Sequence, residues 1–268
     1  MKIIETLELS NFASQPIEGK CRKNVAGNIV WSDISGPLSG TLGNDKIWIK
    51  AVPQDHTYRI ANEALAVLLG HAFGAPVLNR AAIVKIQSNS NLYRFIEERR
   101  LEPFIWVSPD AGNTLDGNLL KYKISTLAMK DCGIILTLLN SLLNNCDRIN
   151  ILTKGSTSET VIDFDKSFIH QNWITNLEIK KSEDSNWIAP LALGGQSALN
   201  LFNENSPKYS KPIIDHIDSI KDDFLQCTSF LKIHPHRAEK LIEHLKDRAI
   251  NLHLNCSNAI KSHPYFQE

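Results

Sequence analysis

Two short stretches carry residues whose types and spacing can do chemistry together. They are Asn145-Cys146-Asp147-Arg148-Ile149-Asn150 and Val161-Ile162-Asp163-Phe164-Asp165. Between them lie two apolar runs, residues 151–153 and 160–162, separated by a polar segment that contains Gly155. Runs of this kind predict a hairpin. Asn150 stands just before the first run and Asp163 just after the second. An antiparallel pairing therefore brings them together at its open end, with Asp147 one short loop away. Two carboxylates and an amide are hard oxygen ligands of the kind that suits Mg²⁺, which takes few protein ligands and fills its shell with phosphate and water. Asp147 would then be placed to receive a proton from an attacking hydroxyl. The competing reading makes Asp and Asn ordinary cap and turn residues at strand ends. Convergence of both at one hairpin end favours the chemical reading.

Two further residues belong to the same chemistry. Lys50 ends an apolar strand run, a few residues after the turn-rich segment Ser32-Asp33-Ile34-Ser35-Gly36-Pro37-Leu38-Ser39-Gly40. A lysine there can reach phosphates cradled by the backbone N–H groups of such a segment. Glu63 lies on the helix that follows, off the apolar stripe of Ile60, Ala64 and Leu68. It is either a solvated surface acid or the partner that holds Lys50 extended and charged.

The elements that must position these residues are readable in outline. Strand-like pieces at residues 2–7 and 26–31 open the chain, and Gly43-Asn44-Asp45 has hairpin chemistry before the strand at 46–52. Helical spacing covers 58–73, with Gly74 as a stop and Pro76 barring continuation. Residues 81–87 and 92–97 read as two more strands, joined by a polar turn. Residues 129–144 predict a strongly apolar helix, and 170–209 predict loops with short helices. Two amphipathic helices close the chain, one on Ile213, Ile217, Ile220 and Phe224, the other on Leu241, Leu245, Ala249 and Leu252. His234-Pro235-His236 reads as a helix start, because no third ligand with metal spacing is near. The expected organisation is α+β: a strand-rich N-terminal lobe over residues 1–104 and a helical lobe over 105–268.

The order of these pieces matters more than any one of them. A Gly-containing turn precedes a strand Lys and a helix Glu; an Asp/Asn loop, a hairpin and an Asp-Phe pair follow. Protein kinases carry the same order. Trp48-Ile49-Lys50, Asn62-Glu63-Ala64 with Leu68-Leu69, Gly74-Ala75-Pro76-Val77, Asn145-Cys146-Asp147-Arg148 and Ile162-Asp163-Phe164-Asp165 resemble the HipA-like kinases over residues 30–170. That family has a two-lobed protein-kinase-like fold, distantly related to phosphatidylinositol kinases. The resemblance implies ATP and Mg as cofactors, with Asp147 as the catalytic Asp and Asn150 and Asp163 on the metal. It further implies that Lys50 meets the ATP phosphates and pairs with Glu63. Ser35, Gly36, Ser39 and Gly40 would cover the phosphates, and backbone near residues 97–99 would meet adenine. The implied activity is transfer to a protein Ser or Thr, including the chain's own Ser35, Ser39 or Thr41. By the same resemblance, a small antitoxin-like or regulatory protein is a partner.

Three departures open alternatives, the first being that the segment at 35–40 has no clean G-x-G-x-x-G. The family places its Asn five residues after the catalytic Asp, whereas Asn150 follows Asp147 by three, with Asn145 as a substitute. Asp165 replaces the Gly of Asp-Phe-Gly and is an added ligand or a surface acid. A nucleotide-binding pseudokinase acting as a regulatory module, and a kinase-fold enzyme that transfers AMP, are therefore the competing functions.

Composition excludes other classes. Lys+Arg and Asp+Glu both count 29, so no bulk charge draws the chain to nucleic acid or an anionic membrane. The five cysteines form no CxxC pair, which argues against a disulfide framework or a thiolate zinc site and for a reducing compartment. The N-terminus lacks the apolar run of a secretion signal, and the most apolar segment, 133–143, is too short to span a bilayer. A cytoplasmic protein is the expectation.

Overall fold

A computed structural model describes residues 2–4, 21–23, 29–31, 38–42, 45–86, 91–145, 147, 149–154, 158–168, 173 and 186–267. These divide into two compact units, Met1–Ala61 with Arg80–Ala111, and Asn62–Asn79 with Gly112–Glu268.

The first unit is built on strands. β1 (Lys2–Ile4) is followed by a separate pair, β2 (Cys21–Lys23) and β3 (Ile29–Trp31). β4 (Leu38–Leu42) pairs antiparallel with β5 (Asp45–Pro53), Leu42 opposite Asp45, so residues 43 and 44 make the connection expected of a hairpin. β6 (Ala82–Lys85) and β7 (Leu101–Pro109) complete a five-stranded sheet ordered β1-β6-β7-β5-β4. Strand alternation puts Ile47, Ile49 and Ala51 in the core, with Val84, Ile105 and Val107. Lys50 and Trp48 fall on the opposite face, half-buried.

Two expectations fail here. Residues 92–97 are not a strand but part of helix α2 (Asn91–Glu98), numbered after α1 (Thr57–Phe73). The β-formers suggested a strand, yet Tyr93 and Ile96 are three residues apart and both pack on the sheet core, as one helix face does. Residues 35–40 are not all loop, since β4 begins at Leu38 and holds Ser39 and Gly40 opposite Trp48 and Ile47. Ser35 and Gly36 lie outside the described residues.

The second unit is mainly helical. Its α1 segment ends as expected at Gly74, whose φ of +70° suits a residue without Cβ. β8 (Asn113–Thr114), β9 (Asn150–Lys154) and β10 (Ser158–Ile162) form a small antiparallel sheet. The backbone N–H of Val161 donates to the carbonyl of Pro76 at 2.7 Å, so the segment after α1 rests on β10. Gly112 leads into β8 with φ +119°, and a Cβ there would stand 2.1 Å from the Thr153 carbonyl oxygen. Gly112→Ala is expected to cost about 3 kcal/mol or more, from forbidden φ and backbone collision together. Urea unfolding measures it.

α3 (Gly117–Ala128) and α4 (Asp131–Leu142) follow β8. α3 was not foreseen, because its apolar Leu119 and Tyr122 point outward and only Leu127 and Ala128 are buried. α4 is buried from Gly133 to its end, and its Thr137 and Asn140 side chains donate to carbonyls one turn back, at 2.8 Å each. The remaining helices are α5 (Ile188–Leu193), α6 (Gly195–Ser210), α7 (Ile213–Phe230), α8 (Pro235–Ala249), α9 (Leu252–Ser262) and α10 (Pro264–Gln267). α6 is a sixteen-residue helix where loops were expected, because Pro207 and the Asn and Ser residues read as breakers. His234 caps α8 with Pro235 at its first position, as expected of a helix start. Leu252 belongs to α9 rather than α8, since Asn251 turns left-handed at φ +62°. Arg248 on α8 is buried and donates to the carbonyls of Ser141 (2.5 Å) and Leu142 (3.1 Å), capping the end of α4.

The chain is thus a mixed α/β protein, with small, mostly antiparallel sheets and a helical C-terminal half. No described helix is long and apolar enough to cross a membrane. Cys227 is buried, and that burial, with the Asp223 carboxylate adding to it, pushes its thiol up to about 12. The Cys132 thiol is raised as well, chiefly by burial. Neither is a ready nucleophile at neutral pH.

Candidate functional site

The site grows from the β9–β10 hairpin. The register places Ile162 opposite Asn150, so the next residue, Asp163, arrives beside Asn150 at the open end. The Asn150 amide donates to Asp163 Oδ2 at 2.6 Å. This is the convergence that the spacing predicted. With its N–H₂ group so used, Asn150 keeps its amide oxygen as an acceptor.

Asp163 has φ +69°, a left-handed conformation that Asp tolerates better than most residues. It turns the chain out of β10 into a tight segment, residues 164–168. There the Ser167 N–H donates to the Phe164 carbonyl at 3.0 Å and the Ser167 hydroxyl to the same oxygen at 2.7 Å. Phe164 and Phe168 are fully buried anchors. The Phe168 N–H donates to the carbonyl of Leu143, just past α4, at 2.8 Å.

α1 meets this segment through two consecutive residues. The buried Asn62 amide donates to the carbonyl of Asp165 at 3.0 Å and to that of Ser167 at 3.4 Å, while its oxygen accepts from Trp173 Nε1 at 2.8 Å. Glu63, the next residue, offers a carboxylate oxygen within 4.8 Å of those of Asp163 and Asp165. Glu63 and Asp165 are only 2% and 3% exposed, which overturns their readings as surface acids. Three carboxylates gathered this closely, two of them buried and Asp163 half-buried, are a set of hard oxygen donors that fits a divalent cation. Glu63, Asp163 and Asp165, with the Asn150 oxygen, are the residues that can hold one.

Asp147 stands on the loop between α4 and β9. Its N–H donates to Asn145 Oδ1 at 3.3 Å, and its carbonyl accepts from the Asn186 amide at 2.7 Å. The Asn186 N–H also donates to the Asn145 carbonyl, at 3.0 Å. The Asp147 carboxylate meets Lys166 Nζ at 3.2 Å. Lys166 follows Asp163 by three residues, so this ion pair ties Asp147 to the strand-end segment that carries the acids. The Asn145 side chain is engaged in holding this loop. It is 2% exposed, its amide donates to Asn140 Oδ1 at 3.0 Å, and its oxygen is taken by Asp147.

The structure therefore assembles Asp147, Asn150, Asp163 and Glu63 in the second unit. Lys50 lies in the first unit, mid-strand in β5 opposite Trp106, and Ser39 and Gly40 lie in the neighbouring β4. Residues 97–99, expected near adenine, are the end of α2 and the turn after it. Asn62 and Lys166 stand next to the site residues Glu63 and Asp165 without carrying a motif role themselves, and Asn186 carries no signal in the sequence.

No protein-family model matches the chain, and no curated protein matches it. Among solved structures, the chain is similar to the Helicobacter pylori proinflammatory kinase CtkA, at 12% identity and a TM-score of 0.48, over 91% of this chain and 98% of that one.

Proposed function

We propose that this chain is a metal-dependent phosphotransferase of the HipA-like kinase type, with a two-lobed protein-kinase-like fold, that moves the γ-phosphoryl group of ATP to a protein hydroxyl. One observation carries the reading. A hairpin end joins Asn150 to Asp163, gathers Glu63 and Asp165 around it, and is tied through Lys166 to Asp147. Bound there, Mg²⁺ would offset phosphate charge. Asp147 orients the acceptor hydroxyl and takes its proton. Asn145 and Asn186 hold the Asp147 backbone so that its carboxylate keeps one direction. The resemblance to HipA-like kinases supplies the acceptor class, Ser or Thr, and the order of motifs along the chain assigns Lys50 to the nucleotide phosphates.

The test is incubation with γ-labelled ATP and Mg²⁺ beside Asp147→Asn, with ATP binding followed in parallel. Expected is label on protein for the wild type, a loss of about 10²–10⁴-fold in the variant, and ATP affinity within a few-fold of wild type. A wild type that binds no ATP refutes the proposal. ATP binding without transfer favours the pseudokinase module, the reading that the three-residue step from Asp147 to Asn150 supports. Mass spectrometry of labelled protein separates phosphate from AMP transfer.

A further inference from the structure

We propose that Lys166 is a catalytic residue: its ammonium group binds the γ-phosphoryl oxygens while that group is in transit. The inference rests on the phosphotransferase reading and adds to it a phosphate-facing cation.

The backbone around Lys166 is fixed from several directions. The carbonyls of Asp165 and Ser167, on either side, accept from the Asn62 amide. Ser167 closes a turn on Phe164, and Phe168 is tied to Leu143. Asp165 and Ser167 are buried, whereas Lys166 between them is half-buried. The lysine stem therefore leaves a rigid base, and its end is partly accessible. Its Nζ is then placed 3.2 Å from Asp147 Oδ2.

An ion pair of this exposure returns little stability, because ordering a long side chain costs entropy and solvent screens the charges. Its position is more informative. Four carboxylates, those of Asp147, Asp163, Asp165 and Glu63, are gathered around this segment or tied to it. A triphosphate approaching them needs positive charge on the protein as well as a divalent ion. Lysine supplies a compact charge with three donors. One donor on Asp147 leaves two for phosphoryl oxygens. In a loose phosphoryl-transfer transition state the charge to be stabilised sits on those oxygens and on the leaving group, so a cation beside the acceptor's base acts where it has most effect.

In the step itself the acceptor oxygen forms a bond to the γ-phosphorus. The bond from that phosphorus to the β,γ-bridging oxygen breaks, and its electron pair leaves on ADP. The hydroxyl proton goes to the Asp147 carboxylate. Lys166 donates hydrogen bonds throughout and keeps its three protons.

The experiment compares the full-length wild type with Lys166→Met and Lys166→Arg. Calorimetry measures ATP and ADP affinity with Mg²⁺, and single-turnover labelling measures transfer. For Lys166→Met the expected result is ATP binding weakened roughly ten- to a hundredfold, ADP binding unchanged, and transfer lowered by about 10²–10³-fold. Lys166→Arg is expected to keep the preference for ATP over ADP and to restore part of the rate. Transfer that falls with the ATP-to-ADP preference intact would make Lys166 a positioning residue for Asp147 and overturn the proposal. So would a Lys166→Met protein that matches wild type. A wild type that binds neither nucleotide overturns the phosphotransferase reading itself. A wild type that binds ATP without transferring it overturns the catalytic role of Lys166 as well, and separates that failure from a loss of nucleotide binding.

Discussion

Asp163→Asn is expected to abolish the stabilisation of this protein by Mg²⁺ while leaving the metal-free protein no less stable than wild type. The two halves of that result have one cause. In the absence of a cation, the like-charged carboxylates of buried Glu63 and Asp165 and half-buried Asp163 stand within 4.8 Å of one another, which disfavours their joint ionisation whatever other partners they have. Replacing one by an amide of the same shape relieves repulsion, and the amide oxygen can still accept from Asn150. With the cation present, the wild type gains about 2.7 kcal/mol at a hundredfold excess over Kd. For a chain of this size that is a rise in Tm of roughly 5–10 °C. The variant loses a charged ligand, and the rise should disappear. If the phosphotransferase reading holds, transfer falls with it by about 10²–10³-fold. Thermal unfolding with and without MgCl₂ is the measurement. An unchanged Mg²⁺ response in Asp163→Asn would show that the cluster is not a cation site. A metal-free variant several degrees less stable than wild type would show that Asp163 is held by structural bonds instead.

Asn62→Ala is expected to be the most destabilising single truncation near the site. The side chain is fully buried and meets three partners: the Asp165 and Ser167 carbonyls and the Trp173 indole N–H. Truncation leaves all three without that partner in a place water does not reach, at about 3–4 kcal/mol in total. Asn62→Asp should be worse, because it turns a donor toward two carbonyls into an acceptor and adds charge beside Glu63. Trp173→Phe removes one donor and keeps most of the ring's bulk, so about 1–2 kcal/mol is expected. Urea unfolding gives the order directly. An Asn62→Ala protein within 0.5 kcal/mol of wild type, taken as about the spread of inconsequential surface substitutions, would refute this account. Metal affinity should fall with stability in this series by roughly 10–100-fold, since Asn62 positions Asp165 without ligating anything itself.

The hairpin, and what it brings together, follows from local pattern alone. Two apolar runs on either side of a short polar turn have few alternative pairings, and register follows from the turn. The meeting of Asn150 with Asp163 was therefore legible, as was the end of α1 at Gly74, because each depends on neighbours only a few positions away. α2, α3 and α6 were not legible. Tyr93 and Ile96 look like strand residues until a sheet is present for them to pack on. The exposed Leu119 and Tyr122 give α3 no inward stripe to read, and Pro207 disguises α6. The composition of the acidic cluster came instead from long-range packing. Glu63 off an apolar stripe reads equally as a surface acid or as the partner of Lys50, and Asp165 in place of a glycine as a surface acid or an added ligand, and nothing local chooses between them. Their burial is settled by a contact between Asn62 and Asp165 that spans 103 residues. The same contact fixes the backbone from which Lys166 reaches Asp147. Local pattern could name the two ends of the hairpin, but only packing of α1 onto the segment after it could say which other charges would join them.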